Sequence, residues 1–228
     1  MLQREIVRCR ACPRLVAWRE HVARVKVARY RHCKYWGRPV PGFGDPAARI
    51  VLVGLAPGAQ GANRTGRMFT GDRSGDFLFA ALRRAGVANQ AVSRSRDDGL
   101  TLSDAYIVAV IRCAPPANRP LPDEILRCAR FLDGEIALLP RARVLVALGA
   151  IAWRACLIHL SAGRTLIPRP WPRFAHGAVV SAGSRVLLGS YHVSQQNTQT
   201  GKLTADMFDA VLSAAKRAAE GLDPSPHS

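Results

Sequence analysis

Short apolar runs alternate with longer amphipathic stretches along this chain. Four runs read as buried strands: IVLV within residues 49–53, DAYIVAVIR at 104–112, RVLVAL at 143–148 and RVLLGS at 185–190. Helices are expected at 14–28, 74–85, 123–139, 150–157 and 204–220. Ser74, Asp123 and Thr204 are the expected caps, and Gly86 the expected stop. In the last helix Met207, Val211, Leu212 and Ala215 fall on one face. Strand then helix, four times over, predicts a parallel sheet covered on both faces. Residues 29–48, 87–100 and 159–183 read as irregular segments, and 223–228 as a flexible tail. No internal repeat is present.

In such sheets ligands bind where loops leave the carboxyl ends of the strands. The loop after the first strand, GLAPGAQGANRTGRMFTGD (54–72), carries Gly54, Gly58, Gly61, Gly66 and Gly71. Glycine lets backbone amides come close to a ligand. Neither G-x-G-x-x-G nor G-x-x-x-x-G-K-[ST] occurs there, so the common nucleotide fingerprints are absent. The loops after the second and fourth strands bring Asn118 and the stretch from His192 to Asn197 to the same edge.

Charge changes the picture of partners. The 228 residues hold 33 Lys and Arg against 16 Asp and Glu, a formal net charge of +17. That excess points to a nucleic-acid backbone, with an anionic membrane surface as the competitor. No apolar run reaches the roughly 18 residues of a membrane span. The chain opens on a charged segment, LQREIVRCRAC, in place of a secretory signal. A cytoplasmic protein without disulfides is therefore expected.

Of six cysteines, Cys9 and Cys12 form a C-x-x-C turn, Cys113 ends the second strand and Cys128 lies on the following helix. By spacing alone these four could share a metal or could be small core residues, and four thiolates favour zinc because such sites are common. Cys33 and Cys156 read as packed thiols, with Cys33 near enough in sequence to compete as a ligand.

Taken together, CRACPRL (9–15), VPGFGDP (40–46), the glycine loop, CAPPANRP (113–120) and HVSQQNTQTGKLT (192–204) resemble the family 5, or type B, uracil-DNA glycosylases. The resemblance covers nearly the whole chain. It implies a three-layer αβα fold with a four-stranded parallel sheet in a single domain, residues 1–222. Residues 1–48 would pack with the 113–128 region on a [4Fe–4S] cluster held by Cys9, Cys12, Cys113 and Cys128, which displaces zinc. It implies a monomeric DNA repair enzyme acting near the nucleoid. Such an enzyme flips uracil, hypoxanthine or ethenocytosine out of DNA and leaves an abasic site.

By the same resemblance Phe69 is the stacking platform. Gly54, Ala56 and Gly58 line the base pocket, and His192 donates a hydrogen bond to the departing base. Related branches carry a polar catalytic residue just after the first strand, where this chain reads Leu55-Ala56-Pro57. Asp72 is therefore the expected acid, although it could equally cap the following helix. Ala109 stands where other branches read the uracil edge with asparagine, so Asn118 is expected to take that role. Val193 and Gln196 replace the usual proline and arginine of the wedge loop. Gln195, Gln196, Asn197, Lys202, Arg64 and Arg67 are the expected DNA contacts. Two other readings compete: a non-catalytic metal-containing nucleic-acid-binding protein, and a nucleotide-binding enzyme of another class. The first leaves the glycine loop, Phe69 and His192 unused.

Overall fold

A computed structural model describes residues 1–163, 167 and 169–224. The elements in chain order are α1 (Leu2–Arg8), α2 (Pro13–Val25), β1 (Phe43–Gly44), β2 (Ile50–Gly54), α3 (Ala62–Thr65), α4 (Arg73–Arg84), β3 (Ala105–Ala109) and α5 (Pro122–Ala137). There follow β4 (Val144–Leu148), α6 (Ala150–Ala162), β5 (Val179–Ala182), β6 (Arg185–Ser190), α7 (Gln195–Gln199) and α8 (Ala205–Ala219).

The sheet has six strands in the order β1-β3-β2-β4-β6-β5. The four expected strands form its parallel centre, with Leu52 beside Ile107 on one side and Val146 on the other. They read as continuous apolar runs because both faces are covered. Leu52, Ile107, Val146 and Leu188 pack with α4 and α8, whereas Val51, Val108, Leu145 and Leu187 pack with α5 and α6.

The strand count of four is corrected to six. Antiparallel edge strands β1 and β5 close the two sides. The two-residue β1 has no periodicity to read. β5 alternates exposed and buried positions and turns into β6 through Gly183-Ser184, a two-residue hairpin connection. Three short helices were also unexpected: α1, α3 inside the glycine loop, and α7 inside the loop after His192.

Caps differ in two places. Asp72, not Ser74, caps α4. At α5 the cap position is Leu121. The Glu124 carboxylate accepts from its backbone N–H at 2.7 Å, where Asp123 was the expected cap. Thr204 caps α8 as expected, accepting from Met207 N–H. Of the tail, Asp223 and Pro224 carbonyls accept from Arg217, and 225–228 lie outside the described residues. Among the described residues no helix is long and apolar enough to cross a membrane.

α1 and the first turn of α2 lie against α5. Arg14 makes a two-pronged ion pair with the buried Glu124, and Arg130 on α5 reaches Glu5 on α1. The turn between α1 and α2 is CRAC: Cys9 closes α1, and Cys12 opens α2 with Pro13 at its first position.

Candidate active site

β2 and β3 keep pairing past their ends. Val110 N–H bonds Gly54 carbonyl at 2.9 Å and Ile111 N–H bonds Leu55 carbonyl at 3.0 Å. The glycine loop therefore leaves the sheet from a fixed point. It turns through α3, stops at Gly66 in the left-handed region, and returns to α4.

Two glycines serve that path by their lack of a side chain. A Cβ at Gly61 would run into Asp72 Oδ2, and one at Gly58 would lie 2.9 Å from the same oxygen. The loop thus wraps closely around the Asp72 carboxyl group. Asp72 Oδ1 accepts from Gly75 N–H at 3.0 Å, capping α4, while Oδ2 faces the glycines. Burial raises the pKa of this carboxyl, and the Gly75 amide pulls the other way.

Phe69 has a left-handed backbone, φ 51°, which a bulky residue adopts only under constraint. Its ring lies over Gly54: a Cβ there would come within 2.9 Å of Phe69 Cζ. The same ring stands 6.4 Å from the His192 ring, tilted by 36°. His192 lies two residues past β6, and its carbonyl accepts from Asn197 Nδ2 at 2.8 Å. Burial lowers the His192 pKa, so its imidazole is neutral at neutral pH.

The expected residues separate into distinct groups. Gly54, Phe69 and His192 meet at the carboxyl edge of β2 and β6, Gly58 lies against Asp72 in the same glycine loop, and Ala56 packs on the α5/α6 side. Asn118 ends an exposed single-turn helix, Pro116–Asn118, after β3, with Ala117 and Asn118 both left-handed. Gln195, Gln196 and Lys202 are exposed.

The two arginines of the glycine loop are used internally. Arg67 is 4% exposed and bonds Thr70, Ser93, Arg96 carbonyl and Asp98. That burial removes it from the DNA-facing set, where sequence alone had put it. Arg64 bonds the carbonyls of Gln60 and Gly71 and stacks on Tyr30 at 4.0 Å.

Sequence reasoning missed His176 and Asn63. His176 stacks on Tyr191 at 5.1 Å, and its Nδ1 accepts from Tyr191 N–H, fixing the backbone just before His192. Its segment has no periodicity to flag it. Buried Asn63 ties the glycine loop to α2 by donating to Arg19 carbonyl at 3.2 Å; the polar loop composition hid it.

Cys9, Cys12, Cys113 and Cys128 line one small cavity. Burial pushes the Cys113 thiol up to about 11 and Cys128 to about 12. Two buried cations flank them. Arg19, 2% exposed, donates to Cys113 Sγ at 2.8 Å and to Cys9 carbonyl. Arg112, 1% exposed, is the residue before Cys113 and pairs with Glu135 at 2.5 Å. Among the described residues no group of three or more His, Cys, Asp or Glu converges tightly enough to hold a single metal ion. Two clefts of about 650 and 660 Å³ lie along α1, away from Phe69 and His192.

The pattern of the family described as Uracil DNA glycosylase superfamily matches residues 41–216. The type-5 uracil-DNA glycosylase of Thermus thermophilus is 55% identical over 92% of this chain and 94% of its own length. That of Mycobacterium bovis is 53% identical over 92% and 78%, and that of Pyrobaculum aerophilum 46% over 92% and 88%.

Proposed function

The chain belongs to the uracil DNA glycosylase superfamily, and from that premise we propose how its residues divide the work of excising a base. It is a monofunctional DNA repair hydrolase that removes uracil from DNA. Hypoxanthine and ethenocytosine are proposed as further substrates.

The observation that carries the residue roles is the approach of the Phe69 ring to the His192 ring at the sheet edge, with the loop that bears Phe69 wrapping Asp72 through Gly58 and Gly61. The flipped base stacks on Phe69. Gly54 and Gly58 leave its carbonyls open to backbone amides. When the glycosidic bond breaks, its electron pair moves into the base and the sugar becomes cationic. A neutral His192 donates to the base oxygen as negative charge builds there; such a donor is worth about 3 kcal/mol.

Asp72 Oδ2 faces the cationic side as a carboxylate. It stabilises that charge and accepts the proton of the water that adds to the sugar carbon. Asn118 reads the base edge, and because an amide both donates and accepts, it bonds uracil or a purine-like base alike. Gln195, Gln196 and Asn197 fill the gap left by the flipped nucleotide, and Lys202 and Arg64 face the backbone. The enzyme acts on DNA as a monomer.

Cys9, Cys12, Cys113 and Cys128 are proposed to hold a [4Fe–4S] cluster. Two features support it. The four thiols share one cavity, and buried Arg19 and Arg112 offset thiolate charge. When bound, the cluster supplies a cross-link between the α1–α2 turn and the 113–128 region.

The direct test is incubation with duplexes carrying a single uracil, hypoxanthine or ethenocytosine, followed by alkali to cut abasic sites. Cleavage at uracil is expected. Cleavage at the other two supports the broad pocket, and its absence there confines the enzyme to uracil.

A further inference from the structure

We infer that residues 24–38 form a second phosphate-binding surface, beside the base pocket and distinct from the loop after His192. It takes the DNA backbone flanking the flipped nucleotide, and this rests on the glycosylase reading above. Three observations carry it.

The first is charge. Between Glu20 and Asp45 the chain has no carboxylate, yet it carries Arg24, Lys26, Arg29, Arg31, Lys34 and Arg38. All but Lys26 are exposed. Elsewhere Arg10, Arg14, Arg49, Arg67, Arg84, Arg112, Arg127 and Arg130 are matched to Asp or Glu; among the described ion pairs none involves the six cations of this stretch. A run of like charge without counter-ions is repulsive by itself and is relieved by a polyanion.

The second is shape. The stretch is held rigidly against the glycine loop. Trp36 N–H bonds Arg64 carbonyl at 2.8 Å and Gly37 N–H bonds Asn63 carbonyl at 3.0 Å. Tyr35 hydroxyl bonds the Gln60 side chain, Tyr30 lies under the Arg64 guanidinium, and Trp36 packs against Gly66. The cations are thus mounted on the loop that holds Asp72 and Phe69. The backbone that carries them is already in place when DNA arrives, so only their side chains have to be ordered.

The third is placement. The glycine loop rises from β2 and the His192 loop from β6, with β4 between them. Two strand spacings separate the loops, about 10 Å. The basic stretch extends the β2 side and α7 the β6 side, so a duplex lying over the pocket meets one on each flank. The patch also continues beyond the stretch itself: Arg96 lies over Trp36 at 4.8 Å, and Arg24 and Arg38 share the rim of a cleft of about 600 Å³ with Arg8.

The test compares two charge-matched double variants on a short duplex carrying a stable abasic analogue. Arg31→Gln/Lys34→Gln alters the surface. Arg141→Gln/Arg143→Gln alters two exposed cations just before β4, at the opposite edge of the sheet. With about 0.9 of salt slope per phosphate contact, the first double should lose about 1.8 from the slope of log Kd against log salt. Its Kd should rise between roughly 10- and 60-fold at about 0.1 M salt. The second should stay near the unaltered protein. Equal losses in both doubles would mean a diffuse field and overturn the surface. No loss in the first, in a protein that still releases uracil, also overturns it and leaves the glycosylase reading intact. An unaltered chain that releases no uracil sinks both.

Discussion

Asp72 works through two oxygens, one capping α4 and one facing Gly58 and Gly61. Its raised pKa has a sign that matters. Below the ordinary carboxylate pKa of about 3.9 it is neutral whether folded or unfolded. As pH rises above that, the folded state alone resists its ionisation, so the buried charge costs stability at neutral pH. Asn caps a helix about as well as Asp. Asp72→Asn should therefore hold or raise the melting temperature at pH 7.5 while lowering the single-turnover rate about 100-fold; a thermal melt beside a rate measurement checks both halves. His192→Ala should cost a similar 100-fold in rate with abasic-DNA affinity nearly kept, measured by titration of a labelled duplex. Because burial lowers the His192 pKa, that group should stay neutral, and the enzyme active, to a pH below the free-imidazole value of about 6.5. A pH–rate profile that already falls above 7 would contradict this.

At the scale of elements, the glycine loop is a wrapped chain whose close approaches can be tested singly. Gly61→Ala drives a methyl into Asp72, so it should lose about 1–3 kcal/mol of stability, read by denaturant titration, and lose activity with it. The α1–α2 turn and α5 form the other testable unit. Cys128→Ser should remove the brown colour and the bound iron and sulfide. The midpoint of thermal unfolding should fall, because α1 and α2 then hold to α5 mainly through ion pairs such as Arg14–Glu124. Stoichiometric zinc without sulfide in the unaltered protein would reject the cluster. The parallel strands were legible in the sequence because burial on both faces makes each a continuous apolar run. β1, β5 and α3 were not, because two to four residues show no period.

The whole molecule is a cation of formal charge +17 built around a largely apolar sheet. Affinity for duplex DNA should fall about 10³-fold or more between 50 and 200 mM salt if six or more phosphates are engaged. Fluorescence anisotropy across that range measures the slope, and a flat response would detach the charge from DNA. Not all of the charge is available for this purpose. Arg19, Arg67 and Arg112 are buried, where they hold the cysteine turn, the 93–98 loop and Glu135.

Sequence by itself determined the parallel centre of the sheet and that the glycine loop and His192 follow the carboxyl ends of its strands. Periodicity and strand ends are local, so local sequence records them. Only the tertiary structure decided that Arg67 is buried while Arg64 stays half-buried, that Asp72 caps a helix and faces the glycines at once, and that four cysteines spread over about 120 residues share one cavity. Those facts depend on which segments meet across the fold. A guanidinium is drawn inside where distant carboxylates and carbonyls wait for it. Arg67 met Asp98 and Ser93, while Arg31 and Lys34 met no carboxylate among the described ion pairs and stayed at the surface.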